Sequence, residues 1–125
     1  MTLTTARAAI ATALSTVSGL DVRARPIKTP KAGDGWVTIT RIVPADFSAC
    51  LATFTAVVVL GADSAKAEEL FESYGVDVID AVTSSTLNPT DVALEPQALV
   101  VGDQASPMYV LALTLSLLVE SGTES

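Results

Sequence analysis

Residues 108–120 read MYVLALTLSLLVE, and they set the architecture. Tyr109, Leu111, Leu113, Leu115, Leu117 and Val119 alternate with Val110, Ala112, Thr114, Ser116, Leu118 and Glu120, the period of two that a β-strand imposes. The run is shorter than the roughly 20 apolar residues of a membrane-spanning helix, and Thr114 and Ser116 interrupt it. As a strand it reaches about 40 Å at ~3.3 Å per residue, so one end is expected to project from a domain of this size. A strand this apolar needs neighbours, and the chain before it supplies them.

Working outward, residues 91–101 (DVALEPQALVV) follow the Asn88-Pro89 break and read as a strand interrupted at Pro96. Residues 51–60 (LATFTAVVVL) end at Gly61, and their last four positions are apolar without alternation, the mark of a central strand covered on both faces. Residues 36–43 (WVTITRIV) are rich in β-branched side chains and are expected to stop at Pro44. Residues 21–27 (DVRARPI) form a short strand that Pro26 confines to an edge or ends. Residues 28–35 (KTPKAGDG) show no periodicity and read as an exposed loop or hairpin tip.

Two helices complete the order. Residues 2–18 place Leu3, Ala6, Ile10, Leu14 and Val17 in a narrow apolar stripe, stopped by Gly19. Asp63 or Ser64 caps a second helix running to about Ser84, with Glu68 and Glu69 near its positive end. Its Ala67, Leu70, Phe71, Tyr74, Val78, Ala81 and Val82 fall in one arc and are expected on the sheet. Val76 and Ile79 fall on the opposite side beside Glu72, where another element or a partner must cover them. The prediction is a single α+β domain over residues 1–120, ordered α-β-β-β-α-β-β. Its two helices pack on a mostly antiparallel sheet of four to five strands. A polar tail over residues 121–125 is expected to fray.

The chain has 125 residues, 50% of them hydrophobic and 17% charged, which excludes intrinsic disorder and leaves room for one core. Its net charge of −7 argues against gripping nucleic-acid phosphates. The charge is uneven. Residues 1–62 carry six cations against three carboxylates, net +3, and residues 63–125 carry one cation against eleven, net −10. If the halves end on different surfaces, copies would attract head to tail; if they interleave in the fold, the asymmetry disappears.

Candidate chemistry is sparse. With no histidine, neither a Ser-His-Asp or Cys-His site nor an H-E-x-x-H zinc site can be built, and no cofactor or metal is expected. Cys50 has no basic neighbour in sequence to lower its pKa and reads as a structural thiol; alone, it cannot form an internal disulfide. Residues 61–67 (GADSAKA) lack phosphate-loop spacing and read as a helix cap. Asp77 and Asp80 are a solvated acidic flank, too few ligands for calcium. Arg23, Arg25, Lys28 and Lys31 lack interleaved aromatics, so they suit a protein surface better than nucleic acid. No signal-peptide pattern precedes the first helix.

Several of these segments together resemble the tail terminator (tail-completion) proteins of long-tailed bacteriophages, particularly the short actinobacterial-phage type. They are the first helix ending in Gly19, Arg25-Pro26 before a Gly-rich tip, and Gly35-Trp36-Val37 opening a strand. Val57-Val58-Val59-Leu60-Gly61 before a helix with Ala67-Glu68 continues the likeness, and residues 109–120 (YVLALTLSLLVE) close it. The likeness covers nearly the whole chain and is one of overall pattern, with no catalytic signature.

The resemblance implies a non-enzymatic virion protein, assembled in the host bacterial cytoplasm. It would form a hexameric ring on the head-proximal end of the tail tube, stop its polymerisation and offer a surface to the head connector, DNA passing through the lumen without specific binding. Its partners would be further copies, the tail tube protein and connector or neck proteins, with no membrane. Interface candidates are Val76, Ile79, Glu72, Arg23 and Arg25. The loop bearing Lys28, Lys31 and Asp34 is a docking candidate or simply a solvated tip. A head-tail joining (neck) protein is the near alternative. A small trimeric ligand-binding or enzymatic domain is the alternative of another class, for which only Arg41, Asp46 and Tyr74 are available.

Overall fold

The computed structural model describes residues 2–25, 31–46, 49–85, 87, 89–99 and 108–120. The elements run α1 (Leu3–Ser15), β1 (Asp21–Arg23), β2 (Asp34–Asp46), β3 (Ala49–Gly61), α2 (Ser64–Thr83), β4 (Thr90–Leu99) and β5 (Met108–Glu120). The order α-β-β-β-α-β-β and the α+β class are as expected, with the strand count settled at five. Spatially the strands run β1-β2-β3-β5-β4 in one mixed sheet. Only β1–β2 is parallel; β2–β3, β3–β5 and β4–β5 are antiparallel.

β5 enters between β3 and β4. It pairs with β3 from Ala49↔Glu120 to Gly61↔Tyr109, and with β4 from Thr90↔Ser116 to Leu99↔Met108. β3 and β4 are therefore parallel to each other, with α2 as the crossover and β5 slotted between them. Inter-strand pairing beyond Ser116 comes from β3 alone, and Leu118 at that end is 64% exposed, so the long strand does extend past its β4 neighbour.

The helices cover one face. Ile10, Leu14, Val78 and Val82 pack with Phe54, Val58, Leu111, Leu113 and Leu115, all fully buried. The alternate residues of the same strands gather on the other face, where Trp36, Val57, Val59, Met108 and Val110 form a second cluster. Both faces of β3 are thus buried from Ala56 to Leu60, as the unbroken apolar run required. Beyond that cluster the second face turns to hydroxyls: Thr38, Thr55 and Thr114 lie side by side across three strands, and the Thr53 and Ser116 hydroxyls meet at 3.0 Å.

Two prolines expected to end or interrupt strands do neither. Pro44 lies within β2, opposite Cys50, on a stretch where β1 no longer pairs. Pro96 lies within β4, the outermost strand, opposite Leu111. An edge strand has one side without ladder bonds, and there the missing N–H costs nothing. Other bounds differ too. α1 ends at Ser15 with Thr16 as its cap, and Gly19 serves instead, at φ +92°, in the turn leading to β1. β1 ends at Arg23, before Pro26. Asp34 and Gly35, expected in the loop, open β2, because β1 pairs there with Asp34, Gly35 and Trp36. Gly35 is required by crowding: a Cβ there would lie 2.6 Å from the Val57 carbonyl oxygen.

Phe54 is fully buried at the junction of both helices with the sheet, so Phe54→Ala is expected to destabilise by about 3–5 kcal/mol. Ile42→Ser, at a position 47% exposed, is expected to stay within about 0.5 kcal/mol. Urea denaturation of the two variants measures the contrast.

Candidate functional site

The sheet order decides what becomes of the charge asymmetry. β1 and β2 form one edge, overlain by α1, and β4 forms the opposite edge; α2 lies over β3 and β5 and reaches β4. Arg7 of α1, Arg23 and Arg25 in and after β1, Lys31, and Arg41 of β2 lie toward the first edge. Asp21 and Asp34 are the described carboxylates there. Glu68, Glu69, Glu72, Asp77 and Asp80 stand exposed on α2, with Asp91 and Glu95 exposed on β4. Lys66 is the one cation of α2. The halves of the chain do not interleave, and opposite edges of one sheet carry opposite charge.

On the positive edge the backbone is closed at β1, while β2 beyond Trp36 has, among the described residues, no neighbouring strand on that side. The Ser15 hydroxyl accepts from the Val22 N–H and donates to the Val22 carbonyl, each at 3.0 Å, leaving neither group for another strand. Arg7 Nε donates to the Val37 carbonyl at 3.0 Å, just past the last residue that β1 pairs. Partial burial lowers the pKa of the Arg7 guanidinium, and the like charge of Arg25 lowers it further. Arg25 is exposed, and Arg23 is 66% exposed with only an exposed contact to Asp21 at 3.4 Å. An ion pair of that kind contributes little.

The negative edge carries a groove of about 670 Å³ between the N-terminal half of α2 and the facing ends of β4 and β5. Leu60, Ala67, Phe71, Pro96, Ala98 and Tyr109 make it largely apolar, and the exposed Glu68 and Glu72 stand among its walls. Asp63 caps α2 from within the chain, its carboxylate accepting from the Ala65 N–H at 3.0 Å and the Lys66 N–H at 3.3 Å. The segment 61–67 therefore acts as a helix cap, with the N–H groups of Ala65, Lys66 and Ala67 all bonded to Asp63.

The chain matches no protein-family model and no curated protein.

The individual candidates sort as follows. Val76 is 67% exposed on α2, off the core face as expected. Ile79 is half-buried and packs against the main core, so of the two covers expected for it the chain itself supplies one; Leu87 and Val92, after the helix, pack on the same cluster. Glu72 lines the groove, and Arg23 and Arg25 lie on the opposite edge. Asp34 is half-buried, and its carboxylate accepts from the Lys31 N–H at 3.1 Å while its own N–H donates to the Lys31 carbonyl at 2.9 Å. It closes a turn. Lys31 remains exposed, and Lys28 lies outside the described residues.

Arg41 and Tyr74 do not converge. A Cβ on Gly19 would lie 2.8 Å from the Tyr74 hydroxyl, near the β1 end of the sheet. Arg41 lies five residues along β2 from the last β1 pairing, roughly 17 Å away at ~3.3 Å per residue. The Asp46 side chain lies outside the description, and Cys50 is a half-buried free thiol packed on the core. Among the described residues no group of three or more Cys, Asp or Glu is placed to hold a metal ion. The groove itself was not legible in advance: nothing in the local pattern places Phe71 and Glu72 of α2 beside Pro96 and Ala98 of β4.

Val76→Asp is expected to leave stability within about 0.5 kcal/mol, whereas Ile79→Asp is expected to cost about 1–3 kcal/mol by placing a carboxylate against the core. Equal denaturation midpoints for the two would contradict the packing described for Ile79.

Proposed function

We propose that this chain is a structural virion protein: copies of it form a ring that caps the head-proximal end of a phage tail tube, ends tube polymerisation and receives the head connector. The observation that carries the reading is the separation of charge onto opposite edges of the sheet. A surface that is complementary to a different surface of the same chain repeats from copy to copy, and such heterologous contacts close into rings when the rotation permits. The tail context comes from the resemblance of the sequence pattern to tail terminators. The mode of assembly comes from the edges.

The reading asks for shape rather than reaction. With Arg41 and Tyr74 apart, the polar groups available to an active site do not meet at one point. A net charge of −7 per copy lets DNA pass a lumen without adhering, since the acidic surface repels phosphate. Among the described residues no helix is long and apolar enough to cross a membrane, which fits assembly in the host cytoplasm and residence in the virion.

The groove favours a second reading, a ligand-binding α+β domain, because an apolar hollow of this volume falls within the range of small-molecule sites. In that case a small molecule would raise the melting temperature of the isolated protein.

Electron microscopy of particles assembled without this chain tests the capping role. Overlong, headless tails are expected. Tails of normal length lying beside filled heads would reassign the chain to the head side of the joint, as a neck protein.

A further inference from the structure

Neither β1 nor β4 invites another strand. Ser15 occupies both backbone groups of Val22 on the β1 side. On the β4 side Pro96 lacks a donor, Glu95 adds charge, and a register shift between Thr90 and Ala93 disrupts the ladder around Asp91, whose φ is +53°. A contact through β1 and β4 must therefore be made by side chains, and the two present complementary ones.

An arginine side chain is a long apolar stem ending in a planar cation, which suits an apolar trough flanked by carboxylates. The groove between α2 and β4 is such a trough: Phe71, Tyr109, Pro96 and Ala98 supply the apolar surface, Glu68 and Glu72 the charge, and among the described residues no cation lines it. Arg23 and Arg25 on the far edge are exposed, and the Asp21 carboxylate that Arg23 meets at 3.4 Å is itself 62% exposed. Arg25 also lies close enough to Arg7 for the two like charges to disfavour each other, a cost that an incoming carboxylate would relieve.

We propose that the β1 edge of one copy, through Arg23 and Arg25, seats in the α2–β4 groove of a second copy against Glu68 and Glu72. The occupant of the groove is the chain itself. Because donor and acceptor surfaces lie on opposite edges of the sheet, each copy uses both, and the contact propagates in one direction. It rests on the ring reading for its closure, while the contact itself follows from the edges.

Sedimentation of the full chain at about 10 mM and about 1 M salt tests it, because the Debye length falls about tenfold between them. Assemblies larger than the monomer are expected at low salt, with loss of assembly at high salt. The double variants Arg23→Glu/Arg25→Glu and Glu68→Arg/Glu72→Arg are each expected to be monomeric at low salt. Their equimolar mixture is expected to regain the wild-type mass, since each then offers the other one native and one exchanged contact; that recovery also shows that both are folded.

A wild-type chain that is monomeric at both salts, assembly indifferent to salt, a double variant that still assembles alone, or a mixture that stays monomeric would each overturn the proposal. The two readings fail separately. Normal tail length in particles lacking a chain that assembles in this way removes the capping role and keeps the contact. Overlong tails corrected by Arg23→Glu/Arg25→Glu keep the capping role and remove the contact.

Discussion

The structure depends on the burial of β5 between β3 and β4. Leu111, Leu113 and Leu115 are fully buried under the helices, while Val110 and Ala112 are buried on the opposite face. Each large aliphatic side chain withdrawn from water in this way contributes about 1.5–3 kcal/mol, so the strand is the strongest single source of apolar burial in the fold. Its backbone groups must also be paired, and β3 accompanies it along its length. The helices, in turn, exist as stripes matched to one face of these two strands. Phe54, on β3, is where Ile10 and Leu14 of α1 and Val78 and Val82 of α2 meet the sheet in one cluster.

Much of this was legible in the chain. The alternation of residues 108–120 fixed β5 residue for residue, and the unbroken run ending at Leu60 identified β3 as central. Both follow from burial, which sequence pattern reports directly. Asp63 was readable as the cap of α2 because capping is a local interaction. The errors share a cause. Pro44 and Pro96 were read as strand breakers, yet a proline's cost depends on whether its N–H faces a neighbour, and that depends on strand order. Ile79 falls on the outer side of α2 by helical angle, and of the two covers that angle leaves open, another element or a partner, the chain's own core supplies the first. Asp34 was read as a loop residue, although its pairing with β1 places it in a strand. In each case the deciding contact came from a residue distant in sequence or from an element whose place in the sheet is not a local property.

The candidate surfaces show the same division. That the chain has a positive first half and a negative second half is arithmetic, but whether the two halves separate in space is topology. The order β1-β2-β3-β5-β4 keeps β1 and β2 at one edge and sends β4 to the other, so the asymmetry survives folding. The groove was not legible because it arises from an incomplete fit between α2 and the ends of β4 and β5. Closure of the edges by Ser15, Pro96 and the shifted register near Asp91 belongs with the same logic. A sheet that is to meet its own copies through side chains must first prevent them from joining by backbone, because strand addition would ignore the charges that give the contact its direction.

The late entry of β5 also constrains how the chain comes into being. β3, α2 and β4 precede in sequence the strand that joins them, so without β5 the inner edge of β3, with Val57, Val58 and Val59, and that of β4, with Leu94, have no ladder partner. The contacts of β5 with β3 are between residues far apart in sequence, the kind that form slowly. Until residues 108–120 take their place, both inner edges are open to a strand from another chain, so folding of the closing strand is also what guards the sheet from aggregation.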